Sequence, residues 1–156
     1  MHREMRRNDR RLSAEKAMEL LIGCPWGILS TADADGQPYG VPVNYVVIDG
    51  AIYIHCAKTG HKLDNIRANS RVSFCAVSKA DNLPEDFSTD FASTIVFGTA
   101  CEVDGAEKTR ALAGFIEKFS PGHTQAGADM VQRLHSTTCV LRIRIDCITG
   151  KARKDS

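Results

Sequence analysis

The sequence has no closely spaced pair of cysteines, although six cysteines are distributed along its 156 residues. Structural zinc sites and redox dithiol motifs need such pairs, so the spacing predicts neither a metal site nor a disulfide framework. A cysteine inside an apolar strand is most often a small core residue. We therefore interpret most of the six as core residues.

Long apolar runs are also missing. No segment approaches the about 20 apolar residues that cross a bilayer, and no apolar stretch follows the basic N-terminus. The sequence therefore predicts a cytoplasmic protein that does not associate with membranes. With 20 Lys+Arg against 19 Asp+Glu, it also lacks the basic excess of many nucleic-acid-binding proteins. It contains neither a GxGxxG motif nor a P-loop, which argues against Rossmann and Walker-type nucleotide sites.

Length and composition predict one folded domain, because single domains cluster around 100–150 residues. Hydrophobic residues make up 43% of the sequence and charged residues 25%, which is ordinary for a globular protein. Residues 1–11 form a basic arm, which we interpret as solvated or laid against a partner; the alternative is a nucleic-acid-binding segment. Residues 12–152 form the predicted domain, and residues 153–156 a short tail.

Hydrophobic periodicity predicts six strands and four short helices. The predicted strands are residues 26–32, 39–48, 51–56, 71–78, 93–103 and 138–148. The predicted helices are residues 14–22, 60–69, 106–119 and 125–135, and residues 79–90 are predicted to be a loop. Strands joined mostly by hairpins favour a small antiparallel barrel with helices around it.

The dipeptide Asp49-Gly50 predicts a two-residue hairpin turn, and this turn sets a strand register. In that register Asn44 lies opposite His55, and Val46 lies opposite Tyr53 on the same face. Their polar groups could hydrogen-bond a planar ligand. The alternative is an ordinary solvent-facing hairpin surface.

A basic segment follows this hairpin. Lys58 precedes the predicted second helix, and His61 and Lys62 lie in its first turn. Helix N-termini prefer negative charge, so this arrangement favours a bound anion such as a phosphate. The alternative is a set of exposed basic residues screened by water. A planar group on the hairpin and a phosphate at the helix start would together match the shape of flavin mononucleotide (FMN).

Five segments carry a family resemblance: residues 27–31, 35–45, 54–66, 93–100 and 148–151. The third contains the string HCAKTGHKLDNI. The five segments resemble the Nim-type, nitroimidazole-resistance branch of the pyridoxamine 5′-phosphate oxidase-like families. The similarity extends over roughly residues 5 to 152. It implies a mainly β fold, a six-stranded antiparallel split β-barrel with short flanking α-helices, that binds FMN.

The resemblance also implies a homodimer with flavin at the subunit interface, where Ser93 reaches the flavin of the other subunit. The cofactor-binding residues that it implies are Val41, Pro42, Val43, Asn44, Tyr45, His55, Cys56, Ala57, Lys58, His61, Lys62 and Ser93. Pyridoxamine-phosphate oxidases proper have a tryptophan beside the flavin and an arginine-containing tail that binds the substrate phosphate, whereas residues 146–151 of this sequence contain no aromatic residue. True pyridoxamine-phosphate oxidation is therefore not predicted.

The function that follows from the resemblance is a flavin-dependent oxidoreductase that reduces small planar acceptors such as nitroaromatic compounds. His55 and His61 are the candidate catalytic residues, because a histidine can donate a proton near neutral pH. One alternative is a flavin-binding or sensing protein without turnover. Another is a split barrel that uses haem or a deazaflavin, with one of these histidines as a haem ligand.

Overall fold

A computed structural model describes residues 4–153, which form eight β-strands and four α-helices. The strands are β1 (Arg11–Leu12), β2 (Trp26–Ala32), β3 (Pro38–Asn44), β4 (Val46–Ile48), β5 (Ala51–Ala57), β6 (Arg71–Leu83), β7 (Ser88–Val103) and β8 (Thr138–Ala152). The helices are α1 (Ala14–Gly23), α2 (His61–Ala68), α3 (Gly105–Phe119) and α4 (Thr124–Leu134). The hydroxyl of Ser13 caps α1 by accepting a hydrogen bond from the backbone N–H of Lys16.

All strand pairs are antiparallel, and they form one curled sheet in the order β3-β2-β6-β7-β8-β5-β4, with β1 added to β8. The predicted fold class, a mainly β split barrel with short helices, is confirmed. Each of the six predicted strands is present. The total of eight arises because the second predicted strand is divided in two and β1 precedes α1. No helix within residues 4–153 is long and apolar enough to cross a membrane.

The predicted pairing of Asn44 with His55 is wrong. The strand breaks at Tyr45, so that Asn44 in β3 pairs with Trp26, whereas His55 in β5 pairs with Val140. Only the part of the hairpin next to the Asp49-Gly50 turn has the predicted register, with Val46 opposite Tyr53. The break occurs because the Tyr45 side chain turns fully into the core, where its hydroxyl donates a hydrogen bond to the Leu21 carbonyl.

The prediction of a loop over residues 79–90 is also wrong. β6 and β7 continue through this segment as a paired hairpin, and only Pro84–Asp86 forms its 3-10 turn. The polar residues of this segment show no alternation of apolar and polar side chains, so the sequence pattern did not indicate a strand. Backbone hydrogen bonds between strands do not depend on side-chain polarity. An ion pair between Lys79 Nζ and Asp90 Oδ2, 2.5 Å apart, joins the two strands.

The core has two parts. The larger part fills the inside of the curled sheet and includes Tyr45, Phe74 and Leu141, all fully buried. The smaller part lies between the sheet and α3, where Val46 and Tyr53 are buried. The hairpin face that was predicted to be open to a ligand is therefore covered by α3 at these two positions.

The end of the basic arm is attached to the sheet. Arg11–Leu12 pairs with β8 at Lys151 and Gly150, and the guanidinium of Arg10 lies 5.8 Å from the centroid of the Phe91 ring. The first three residues of the predicted arm, and residues 154–156 of the predicted tail, lie outside the described residues.

Candidate functional site

Helix α2 is held across the sheet by one buried polar contact and two apolar side chains. The amide of Asn65 donates a hydrogen bond to the hydroxyl of Thr31 at 3.0 Å, and both residues are buried. Leu63 and Ile66 enter the main core on the same side of the helix. A buried amide that keeps its hydrogen bond fixes orientation as well as position. These contacts fix where the first turn of α2 points.

The first turn of α2 carries the predicted basic residues. Gly60 precedes it with φ of 137°, a backbone conformation that side chains rarely adopt. The His61 ring stacks on Tyr39 of β3, with centroids 4.1 Å apart and an interplanar angle of 29°. Tyr39 was missed in the sequence, because nothing local to Tyr39 indicates a partner on a helix.

Lys58 lines a pocket that also contains Glu102 and Asp104, but the three predicted basic residues form no described ion pair. Within residues 4–153, none of the described ion pairs involves Lys58, His61 or Lys62. The first intrahelical hydrogen bond runs from the Leu63 N–H to the Gly60 carbonyl, which leaves the N–H groups of His61 and Lys62 ahead of it. Basic side chains and free N–H groups at a helix start are together suited to a phosphate.

The strand residues of the predicted site divide between the two faces of the sheet. Val41 and Val43 point inward and pack against the main core, as does the fully buried Tyr45. Pro42 and Asn44 are exposed on the outer face, because side chains alternate along a strand. The amide of Asn44 donates a hydrogen bond to the Pro25 carbonyl at 3.0 Å.

Ser93 lies on the same outer face as Pro42 and Asn44. In the sheet register, Pro42 pairs with Ile28, Ile28 with Cys75, and Cys75 with Ile95. Ser93 is two residues from Ile95 in β7, so its side chain points the same way. The fold therefore brings three predicted site residues from distant strands to one surface.

That surface is unusually apolar. Four large side chains stay well exposed on it: Trp26 (48%), Val77 (40%), Ile95 (41%) and Phe97 (39%). We call these four residues the outer patch. Soluble monomers rarely leave such residues exposed together, so a patch of this kind marks a binding surface.

His55 lies in different surroundings from His61. Its ring packs edge-on against Phe115 of α3, with centroids 4.5 Å apart. Part of the His55 surface is exposed to solvent, but its ring lies among apolar side chains. This loss of hydration lowers the pKa of the imidazole from its ordinary 6.5. His55 also lines an apolar cavity of about 140 Å³ beneath α3 and α4. No described contact joins the two candidate catalytic histidines.

Cys56 and Ala57 complete the predicted set at the end of β5. Cys56 is half-buried and points to the opposite side of the strand from His55, while Ala57 is exposed. Burial raises the pKa of the Cys56 thiol, and the charge of Lys62 opposes that effect. Within residues 4–153, no three His, Cys, Asp or Glu side chains converge as metal ligands.

Several solved structures share this fold. A conserved hypothetical protein from Mycobacterium tuberculosis is 23% identical, with a TM-score of 0.82 over 97% of this chain and 91% of the other. An FAD-binding protein from Mesorhizobium loti is 25% identical, with a TM-score of 0.69 over 93% and 98%. A candidate 5-nitroimidazole antibiotic resistance protein from Bacteroides thetaiotaomicron is 17% identical, with a TM-score of 0.71 over 97% and 95%.

A search of curated proteins by sequence found no match. A protein-family comparison matched residues 13–152, which include every predicted site residue and all the strands except β1. The family match agrees with the curled antiparallel sheet and with the basic start of α2, both of which are predicted from the sequence. The chain belongs to the pyridoxamine 5′-phosphate oxidase family.

Proposed function

We propose that this protein is a flavin-dependent oxidoreductase that binds FMN as a homodimer. The observation that carries the proposal is the start of α2, where Lys58, His61 and Lys62 have no acidic partner among the described ion pairs. A phosphate group is dianionic near neutral pH and accepts charge-assisted hydrogen bonds from lysine and histidine. These residues would hold the phosphate of FMN.

The outer face of the sheet supports the rest of the site. Pro42 and Asn44 on β3 would lie beside the planar ring system, and Val41, Val43 and Tyr45 would support this strand from the core. Ser93 would reach the cofactor of the other subunit. The outer patch supports a homodimer, because contact with a second copy would cover its four exposed apolar side chains. The FAD-binding relative from Mesorhizobium loti supports a flavin as the ligand class.

FMN, when bound, supplies two-electron redox chemistry. The chain's own residues would bind and orient the cofactor and exchange protons with the reactants. Because its pKa is below 6.5, His55 is neutral at pH 7 and suited to accept a proton. His61, the other candidate catalytic residue, is exposed beside Lys62 at the proposed phosphate end of the site. Cys56 and Ala57 would line the path between the two ends of the ligand.

The proposed acceptor is a small planar compound such as a nitroaromatic. Two features support it. The fold is similar to that of a candidate 5-nitroimidazole antibiotic resistance protein. The segment around Cys147, Thr149 and Lys151 also carries no aromatic side chain that would cover the ring system.

The test is spectroscopic. Purified protein is expected to be yellow or to take up added FMN, to bleach anaerobically with NAD(P)H, and to recover its colour with a nitroaromatic acceptor. Colour without bleaching would favour the flavin-binding or sensing alternative. A Soret band on haem titration, with no uptake of FMN, would favour the haem alternative and overturn the proposal.

A further inference from the structure

The fold brings together two cysteines that are far apart in the sequence. Cys56 of β5 and Cys139 of β8 are direct cross-strand partners, and their side chains share one face of the sheet. Opposed residues of an antiparallel pair have Cα atoms about 4.5–5.5 Å apart. Disulfides span about 4.4–6.8 Å between Cα atoms.

A proton acceptor is already in place beside this pair. The Cys139 thiol donates a hydrogen bond to Glu102 Oε2 at 3.4 Å, and Arg67 Nε donates to Glu102 Oε1 at 2.7 Å. The arginine keeps the pKa of Glu102 below its ordinary 4.5, so the carboxylate is ionised. The carboxylate is a weak base, so its role is to relay the Cys139 proton to a stronger base, a departing hydroxide, while the Cys139 sulfur reacts.

The two thiols differ in accessibility. Cys56 is half-buried at the edge of the main core, whereas Cys139 is only 6% exposed within it, so Cys56 is the more accessible of the two. Burial raises the pKa of both thiols, that of Cys139 to about 12, and the charge of Lys62 acts on Cys56 in the opposite direction. Cys56 is therefore the thiol that reacts first with an oxidant, and Cys139 is the thiol that reacts second.

We propose that Cys56 and Cys139 form a redox-active dithiol that a hydroperoxide converts into a cross-strand disulfide. The Cys56 sulfur takes one oxygen from the hydroperoxide and becomes a sulfenic acid, and an alcohol or water leaves. The Cys139 sulfur then attacks Cys56, so that the S–S bond forms and the S–O bond breaks. The Cys139 proton passes through Glu102 to the departing hydroxide, which leaves as water. Two thiols lose two electrons in total, and the hydroperoxide gains them.

The proposed flavin supplies no electrons to this reaction, although Cys56 also belongs to the proposed cofactor-binding set. All six cysteines are free in the structure, so the reduced state is the starting point. The test treats the full chain with hydrogen peroxide, blocks the remaining thiols and digests it with trypsin without reduction. The expected product joins residues 134–142, which contain Cys139, to residues 17–58, and is about 2 Da lighter than the separate peptides. Dithiothreitol is expected to reverse it.

Residues 17–58 contain Cys24 as well as Cys56, so fragmentation of the joined peptides must locate the bond. Cys56→Ala is expected to abolish the product, and Cys101→Ser, which alters an exposed cysteine, is expected to leave it unchanged. A bond located at Cys24, or six blocked thiols after peroxide treatment, would overturn the proposal.

A second variant tests the proton acceptor. Glu102→Gln keeps a hydrogen-bonding side chain but removes the carboxylate, and is expected to slow disulfide formation about tenfold or more. Sulfenic acid at Cys56, trapped with dimedone, is expected to accumulate in this variant. An unchanged rate with no trapped sulfenic acid would overturn the role of Glu102.

Discussion

The rings of His61 and Tyr39 lie 4.1 Å apart between centroids, and they join the start of α2 to the beginning of β3. This stacking links the two segments that carry most of the proposed cofactor-binding residues. Tyr39 lies on the same side of β3 as Val41 and Val43, so the basic helix start contacts the side of the strand opposite to Pro42 and Asn44. A change in the position of α2 is therefore expected to affect Pro42 and Asn44 through the backbone of β3.

Replacement of Lys62 is expected to weaken FMN binding. A hydrogen bond to a charged group contributes about 1.5–3 kcal/mol, so Lys62→Met should raise the Kd for FMN by about 10- to 100-fold. Fluorescence quenching of FMN measures the Kd. The matched control is Lys16→Met, which removes an exposed lysine from α1. Equal affinities of the two variants would show that the phosphate lies elsewhere.

The ring of Phe115 is expected to hold the pKa of His55 low. NMR titration of the His55 ring protons should give a pKa below 6.5, and Phe115→Leu should move the value toward 6.5 as water gains access. A value above 6.5 in the unaltered protein would contradict this account.

The same shift predicts the pH dependence of stability. Folded His55 binds a proton less readily than unfolded His55, so the stabilising contribution is fully present above the unfolded-state pKa of 6.5. It is lost as the pH falls through the folded-state pKa. Urea denaturation at pH 7.5 and at pH 5 measures how much unfolding free energy is lost between the two pH values. This loss should be smaller in His55→Gln than in the unaltered protein. An equal loss in both proteins would remove His55 as a cause.

The outer patch is expected to be the dimer interface. Ile95→Lys places a charge at its centre, and burial of an unpaired charge is costly, so the variant should elute as a monomer. Light scattering after size-exclusion chromatography measures the mass. The control is Ile22→Lys, which alters a residue exposed at 52% outside the outer patch. A monomeric unaltered protein would remove the basis for this prediction.

Tyr45 is expected to contribute more to stability through its hydroxyl than Tyr53. Tyr45→Phe leaves the Leu21 carbonyl without that donor in the core, which should cost about 1–3 kcal/mol of unfolding free energy. Tyr53→Phe removes a hydrogen bond of 2.8 Å to Glu107 at a part-buried site, where Arg142 still pairs with that carboxylate. The loss of unfolding free energy in Tyr53→Phe should therefore be smaller than in Tyr45→Phe. Urea denaturation of both variants measures the two losses.

Local patterns in the sequence were sufficient for most of the fold. Alternation located the six strands, and the Asp49-Gly50 turn gave the pairing of Val46 with Tyr53. Local rules could not locate the break at Tyr45, because it depends on a hydrogen bond to α1. The hairpin through Lys79 and Asp90 was missed for a related reason, since its pairing runs through polar residues.

The candidate site was predictable in its basic part only. Lys58, His61 and Lys62 adjoin one another in sequence, and their charge against the helix dipole gives a local signal. The pairing of Cys56 with Cys139 and the stacking of Tyr39 on His61 arise from strand order, which no short segment encodes. The common outer face of Asn44 and Ser93 has the same origin.

β8 follows every other strand in the chain, yet it pairs with β1, β5 and β7. Hairpins such as β2-β3 and β6-β7 can form as soon as they leave the ribosome, because their contacts are local. The sheet cannot close until Thr138–Ala152 has been synthesised, and until then β5 and β7 keep unpaired edges. Nascent chains that stall before β8 are therefore the form of this protein most exposed to aggregation and most dependent on chaperones.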